Sequence, residues 1–260
     1  MIIEYPRENA REIAHIFREH RFLTSCIESA ISVPLGQFWV DDIHEPSVAL
    51  IAVAFQFLNG NHESEEVDEL LSKIPPGYLM LVPNKNWVPL LEKKWGDRLE
   101  VYQRFSFSPD RLDLNHLRYL KSQLPSDYSI RRIDLSIASE FPKLLESTIQ
   151  SFYGTPERFI EKGLGFGIFH NGQLVSSAVS ALPFTKSFEI QVDTLDDNAY
   201  RRKGLATSVC AALIEYAVQN GLIPNWDAAN EPSKKLALKL GYCNPIEYSV
   251  YRWKTKPKTE

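Results

Sequence analysis

A chain of 260 residues can form one large domain or two of ordinary size, and its 44% hydrophobic content supplies the side chains for real cores. A formal net charge of -4 excludes a nucleic-acid binder that relies on a broadly basic surface. The longest uninterrupted apolar run, residues 48–55, is far short of the ~20 residues a membrane-spanning helix needs, so no membrane partner is expected.

Cys26, Cys210 and Cys243 are odd in number and widely spaced, which fits neither a disulfide framework nor a zinc ligand set. The first residues, MIIEYPRENA, carry acidic groups and a proline where a secretory signal needs a basic start and an apolar core. Together these features predict a cytoplasmic protein without a metal site.

In chain order, the apolar spacing predicts a helix over 10–18, strands over 36–41 and 48–59, and a helix over 65–73. A strand over 78–82, a helix over 87–95 and a strand over 99–107 follow. A boundary is expected near Leu124-Pro125-Ser126-Asp127, dividing the chain into 1–125 and 126–260. Beyond it, 138–152 reads as a helix and 153–163 as a loop with a short helix. Asn171-Gly172 sits between two β-rich runs, 165–170 and 173–182, and marks a hairpin, because both positions tolerate positive φ. Phe188, Ile190 and Val192 alternate with polar residues over 188–194, the pattern of a half-buried strand. An amphipathic helix over 205–219 is stopped by Asn220-Gly221, and a strand covers 222–227. Asn230 caps a helix that Pro232 opens and Gly241 ends, and 247–253 is a last strand. The fold class is α/β (α+β).

The two halves share nearly the same order of elements, which predicts a degenerate internal repeat. They differ most after strand 48–59, where the first half reads NGNHESEEVDEL and the second reads DDNAYRRKGLAT. Only the second is suited to an anion. A helix N-terminus presents unpaired N–H groups and the positive end of the helix dipole. Small residues there, Gly204 and Ala206, let a phosphate approach the backbone, while Thr207 and Ser208 can offer hydroxyls. Arg201, Arg202 and Lys203 add positive charge on the approach.

Arg201-x-x-Gly204-x-Ala206, after a strand and opening a helix, resembles the R/Q-x-x-G-x-G/A signature of the GCN5-related N-acetyltransferase (GNAT) family. Asn230-x-x-Ser233-x-x-Leu236-x-x-x-Leu240-Gly241-Tyr242 is similar to that family's second motif. The resemblance implies tandem GNAT-like mixed sheets flanked by helices, with the N-terminal half degenerate. That half resembles the corresponding domain of a bacterial subgroup that includes antibiotic self-resistance acetyltransferases of the zwittermicin-resistance type. By the same resemblance, acetyl-CoA is the cosubstrate and a small primary amine, such as an antibiotic-like metabolite, is the acceptor, in a monomer or homodimer. The cofactor-binding set is Val192, Thr194, Arg201, Arg202, Lys203, Gly204, Leu205, Ala206, Thr207, Asn230 and Ser233.

Amine acetylation asks the protein to position amine and thioester, accept a proton and stabilise an oxyanion. Glu189 and Asp193 lie on one strand face and are the candidate catalytic carboxylates. The family's usual tyrosine acid is replaced by Ala237, leaving Tyr153, Tyr200 and Tyr242 as substitutes and a CoA-binding module without turnover as the alternative. Glu157 and Glu161 join Glu189 and Asp193 as groups that attract a cationic amine. Cys210 is expected to be a buried hydrophobe, and His170 an exposed hairpin residue.

Overall fold

The computed structural model describes residues 1–33, 35–140 and 142–255, with the side chains of 142 and 143 excepted. The chain divides into two compact units: Met1–Arg104 joined by the chain from Glu247, and Phe105–Ile246. The first division thus falls upstream of the expected boundary near 125. The reason is packing: Phe107, Leu117 and Leu120 are buried in the same core as Val209 and Leu213 of the second unit.

The first unit opens with β1 (Ile3–Glu4), two 3-10 turns and α1 (Thr24–Ser32). Then come β2 (Gln37–Val40), β3 (Val48–Ala52), β4 (Gln56–Gly60), α2 (Val67–Leu71), β5 (Met80–Leu81), α3 (Val88–Trp95) and β6 (Leu99–Ser108). The helix expected at 10–18 is instead a 3-10 segment, Ala14–Glu19. The single strand expected over 48–59 is a hairpin, because Val53 N–H donates to the Phe55 carbonyl and reverses the chain within three residues.

The second unit holds α4 (Leu114–Ser122), β7 (Tyr128–Arg132), α5 (Leu135–Glu140), α6 (Pro142–Thr148) and α7 (Pro156–Lys162). A π-helical turn, Ile149–Tyr153, follows α6. Next are β8 (Gly165–His170), β9 (Gln173–Ser180), β10 (Ser187–Thr194), α8 (Leu205–Gln219), β11 (Ile223–Ala228), α9 (Glu231–Leu240) and β12 (Cys243–Trp253). The expected hairpin turn is present, with Asn171 and Gly172 at φ 49° and 78°. The helix expected over 138–152 starts earlier, at Leu135, and turns π-helical from Ile149; residue 141 of that expected helix lies outside the described residues.

The first sheet has the order β1-β2-β3-β4-β5, followed by residues 247–253 of β12. The second has the order β7-β8-β9-β10-β11, followed by residues 105–108 of β6. In each, the fourth and fifth strands are the parallel pair and the rest are antiparallel. The strand after each unit's last helix supplies residues to the other unit's sheet order, so one topology occurs twice. Among the described residues, no helix is long and apolar enough to cross a membrane.

Candidate active site

The parallel pair of the second unit is short. β10 and β11 are paired only from Ser187↔Ile223 to Glu189↔Asn225, while β10 continues alongside β9 as far as Thr194↔Ser176. Ile190 to Thr194 therefore have a strand neighbour on one side only. The direction of their main-chain groups follows from strand alternation. The carbonyl of Glu189 accepts from Ala181 N–H and that of Asp193 from Ser176 Oγ, so residues 189, 191 and 193 face β9. The carbonyl of Lys186 accepts from Ile223 N–H, so the alternate set, Ile190, Val192 and Thr194, faces the opening beside β11. Val192 and Thr194 of the expected set are thus where an extended ligand could pair with the backbone.

The far end of this opening leads to α8. Gly204, at φ 79° and ψ 3°, is its N-cap, and no side chain caps the helix. The first intrahelical bond runs from Ser208 N–H to the Gly204 carbonyl at 3.0 Å, which leaves the amides of Leu205, Ala206 and Thr207 as the helix's unpaired donors. A Cβ built on Gly204 meets nothing within 4 Å. This is open space above a donor cluster, with no acidic residue in the first turn to repel an anion. Arg201, Arg202, Lys203 and Gly204 are exposed, and Arg201 is ion-paired with Asp196.

The side chains after Gly204 behave differently from the sequence expectation. Leu205, Thr207 and Ser208 point into the core, at 2%, 8% and 3% exposure, and Ser208 Oγ donates to the Leu120 carbonyl. Ser208 therefore offers no hydroxyl to an anion, and the contribution of Leu205 and Thr207 comes from the main chain. Asn230 caps α9 by accepting from Ser233 N–H at 2.9 Å, and Ser233 Oγ accepts from Trp226 Nε1 at 3.1 Å. That places both at the start of α9, just after β11, with their acceptor capacity partly used in fixing the helix end.

Glu189, Gln191 and Asp193 share the face of β10 opposite Ile190 and Val192, which pack on the core against α8. Gln191 Nε2 donates to Asp193 Oδ2 at 3.0 Å. Glu189 and Asp193 stand four residues apart, about 13 Å along an extended strand, so one proton cannot be shared between them. Glu189 lies at the point where β10 and β11 part, and Asp193 near the loop end. Glu157 and Glu161 are exposed on α7, and Glu161 pairs with Lys162 at 2.9 Å.

Two of the substitute acids are already committed. Tyr153 is buried at 1%, its hydroxyl hydrogen-bonded to Ser180 Oγ at 2.7 Å, and burial pushes its pKa up. Tyr242 donates to the Pro224 carbonyl at 2.8 Å, and burial above all holds its proton on. Ala237 is fully buried. Cys210 is fully buried too, and burial raises its thiol pKa, so it is not a nucleophile. Among the described residues no cluster of His, Cys, Asp and Glu could hold a metal ion.

His170 departs from expectation. Rather than standing exposed at the hairpin, its ring is stacked on Tyr128 at 4.5 Å and set edge-on to Tyr200 at 5.8 Å. Nothing local in the sequence signals this, because Tyr128 and His170 meet only through the β7–β8 register.

A mixed sheet whose parallel central pair parts beside a glycine-led, uncapped helix N-terminus defines a class: transferases that take an acyl group from a CoA thioester. The GNAT acetyltransferase family model matches residues 14–251, and the chain belongs to that family. It is 25% identical over 241 residues, 88% of this chain and 89% of the relative, to the uncharacterized N-acetyltransferase YdfB of Bacillus subtilis (strain 168). It is similar to the crystal structure of a GCN5-related N-acetyltransferase-like protein from Streptococcus suis 89/1591, with 31% identity, coverage of 95% and 99%, and a TM-score of 0.81. A tandem GNAT protein from the clavulanic acid biosynthesis pathway shares the fold at 13% identity, with coverage of 96% and 97% and a TM-score of 0.58. The chain is accordingly an acetyl-CoA-dependent acyltransferase of the GNAT type.

Proposed function

We propose that the second unit binds acetyl-CoA and transfers its acetyl group to a primary amine of a small molecule, the antibiotic-like metabolites being the acceptors to test first. The observation that carries this reading is the early end of β10–β11 pairing beside the bare N-terminus of α8. In this reading the amides of Leu205, Ala206 and Thr207 hold the pyrophosphate over Gly204, and Arg201, Arg202 and Lys203 supply charge around it. The main chains of Val192 and Thr194 pair with the pantetheine arm, and Asn230 and Ser233 flank it from the start of α9.

The thioester then lies toward Glu189. Attack by the amine nitrogen on the carbonyl carbon forms the amide and expels the thiolate, and the amine's proton goes to Glu189, directly or through water. Asp193, tied to Gln191, serves to attract the cationic acceptor. With Ala237 buried, the hydroxyls of Tyr153 and Tyr242 engaged and Tyr200 packed on the core against His170, the thiolate leaves unassisted, consistent with a thiol pKa of about 8.5 in water.

The first unit is read as a degenerate copy that does not bind acetyl-CoA. Its parallel pair also ends early, at Phe57↔Leu81, but Nε2–H of buried His20 donates to the Leu58 carbonyl at 2.9 Å, just beyond that point. None of Cys26, Cys210 and Cys243 forms a disulfide, which supports a cytoplasmic setting. Calorimetric titration with acetyl-CoA, beside thiol release over a panel of amines, tests the whole reading. One molecule bound per chain and turnover on a small amine are expected; binding without thiol release on any amine, or two molecules bound, would contradict it.

A further inference from the structure

We infer that His170 is a positioning residue for acetyl-CoA, acting through Tyr200 to hold the loop that leads into α8; this rests on the reading of that loop as the pyrophosphate cradle. Across residues 196–204, every side chain is exposed except that of Tyr200, which packs on the core of the second unit. Apart from main-chain bonds at its two ends, Asp197 N–H to the Leu195 carbonyl and Ser208 N–H to the Gly204 carbonyl, the loop's other ties are internal. Asp197 Oδ1 accepts from Ala199 N–H, the Asp197 carbonyl accepts from the amides of Tyr200 and Arg201, and Arg201 pairs with Asp196. Between those two ends, these bonds shape the loop without tying it to another element. Its place on the body of the unit therefore depends on what Tyr200 touches.

What it touches is the His170 ring, in a T-shaped arrangement with centroids 5.8 Å apart and an interplanar angle of 75°. That ring is in turn held from two directions. It is stacked on Tyr128 at 4.5 Å and 21°, its cross-strand partner between β7 and β8, and its Nε2 lies 3.3 Å from Asp127 Oδ2. Nδ1 is buried without a hydrogen-bond partner, so ring packing is the means by which His170 acts on Tyr200. The chain of contacts Asp127, Tyr128, His170, Tyr200 joins a rigid antiparallel pair to the segment that sets Arg201 and Gly204. An anion held by main-chain amides is sensitive to their placement at the ångström scale, so loosening this stack should weaken acetyl-CoA binding without touching the reacting atoms.

The test compares His170→Ala, His170→Phe, Tyr200→Ala, Tyr200→Phe and the double variant His170→Ala/Tyr200→Ala in steady-state kinetics and acetyl-CoA titration. His170→Ala and Tyr200→Ala should each raise KM and Kd for acetyl-CoA roughly three- to tenfold, the worth of one aromatic edge contact. At saturating acetyl-CoA, kcat and the acceptor KM should stay within about twofold. The double variant should be no worse than Tyr200→Ala alone, since both act through one contact. His170→Phe, which keeps the ring, and Tyr200→Phe should recover most of the affinity, and they carry the test if the alanine variants fold poorly. Unchanged acetyl-CoA affinity in His170→Ala, or a fall in kcat in step with the loss of affinity, would overturn the inference. Gly204→Val separates the two failures: if it binds acetyl-CoA normally, the cradle reading itself is wrong, whereas if it alone loses binding, only the role of His170 is wrong.

Discussion

Replacing Gly204 tests two properties of one position that can be pulled apart. The residue sits at φ 79° and ψ 3°, where an L side chain costs about 1–2 kcal/mol and asparagine costs less because it tolerates the left-handed region. A Cβ there meets nothing within 4 Å, so no clash adds to the backbone term in the free protein. Gly204→Ala should therefore lower Tm by a few degrees, at about 2–4 °C per kcal/mol for a chain of this size, and Gly204→Asn by less. Binding should behave otherwise. If the open space receives the pyrophosphate, either side chain fills it, and both variants should raise the acetyl-CoA Kd at least tenfold, about 1.4 kcal/mol. Thermal melts and calorimetric titration of the three proteins give both quantities. A Gly204→Asn protein that melts near the parent and binds acetyl-CoA equally well would show that the glycine serves only the turn, and the cradle argument would fall.

Three further outcomes are expected. Glu189→Gln should lower kcat/KM by about a hundredfold or more and remove the acidic limb of its pH profile, while Asp193→Asn leaves that limb in place; the reverse result would move the base to Asp193. His20 is pushed down by burial from 6.5 to about 4, with its bond to Leu58 opposing, so the unfolded chain binds the extra proton first. Stability should then fall as pH drops from about 6.5 to 4, by up to about 3 kcal/mol, and chemical denaturation of His20→Gln should show that much less pH dependence. Gly167→Ala brings a Cβ to 2.5 Å from Leu174 Cδ1 in a core where Leu174 is 3% exposed. Overpacking should cost about 1–3 kcal/mol in denaturation midpoints while leaving the acetyl-CoA KM unchanged.

Legibility in the sequence followed the strength of local signals. α8 is read to the residue, because Gly204 opens it, Asn220-Gly221 ends it and its apolar face is continuous. The Asn171-Gly172 turn and the Asn230 cap are similarly local, each needing one backbone conformation or one side-chain bond. By contrast, the β3–β4 turn falls within Val53-Ala54-Phe55, inside an apolar run with no glycine or proline to mark it. α1 buries Ser25 and Ser29 beside Cys26 and Ile27, which blurs the periodicity that would have revealed it. α4 carries a usable signal in Asp113, whose side chain accepts from His116 N–H and caps the helix start. The site divides the same way: the α8 loop is sequence-local, whereas the support behind it through His170 exists only once β7 and β8 pair.

The two copies of the fold show what an open sheet edge requires. Where a parallel pair parts early, main-chain groups on the longer strand lose their partners, and buried polar groups must find others. In the first unit the chain meets that need itself: His20, buried and neutral, donates to Leu58, and α2 carries Asp68 and Glu69 in its first turn. Those carboxylates favour the helix end electrostatically and repel a phosphate there. In the second unit the corresponding groups of Ile190, Val192 and Thr194 face an opening, and the helix beyond them has no acidic residue in its first turn and three cations before it. If acetyl-CoA binds the second copy alone, as proposed, few changes are enough to confine it there. One side chain closes the edge, and reversal of charge at one helix start removes the attraction for an anion.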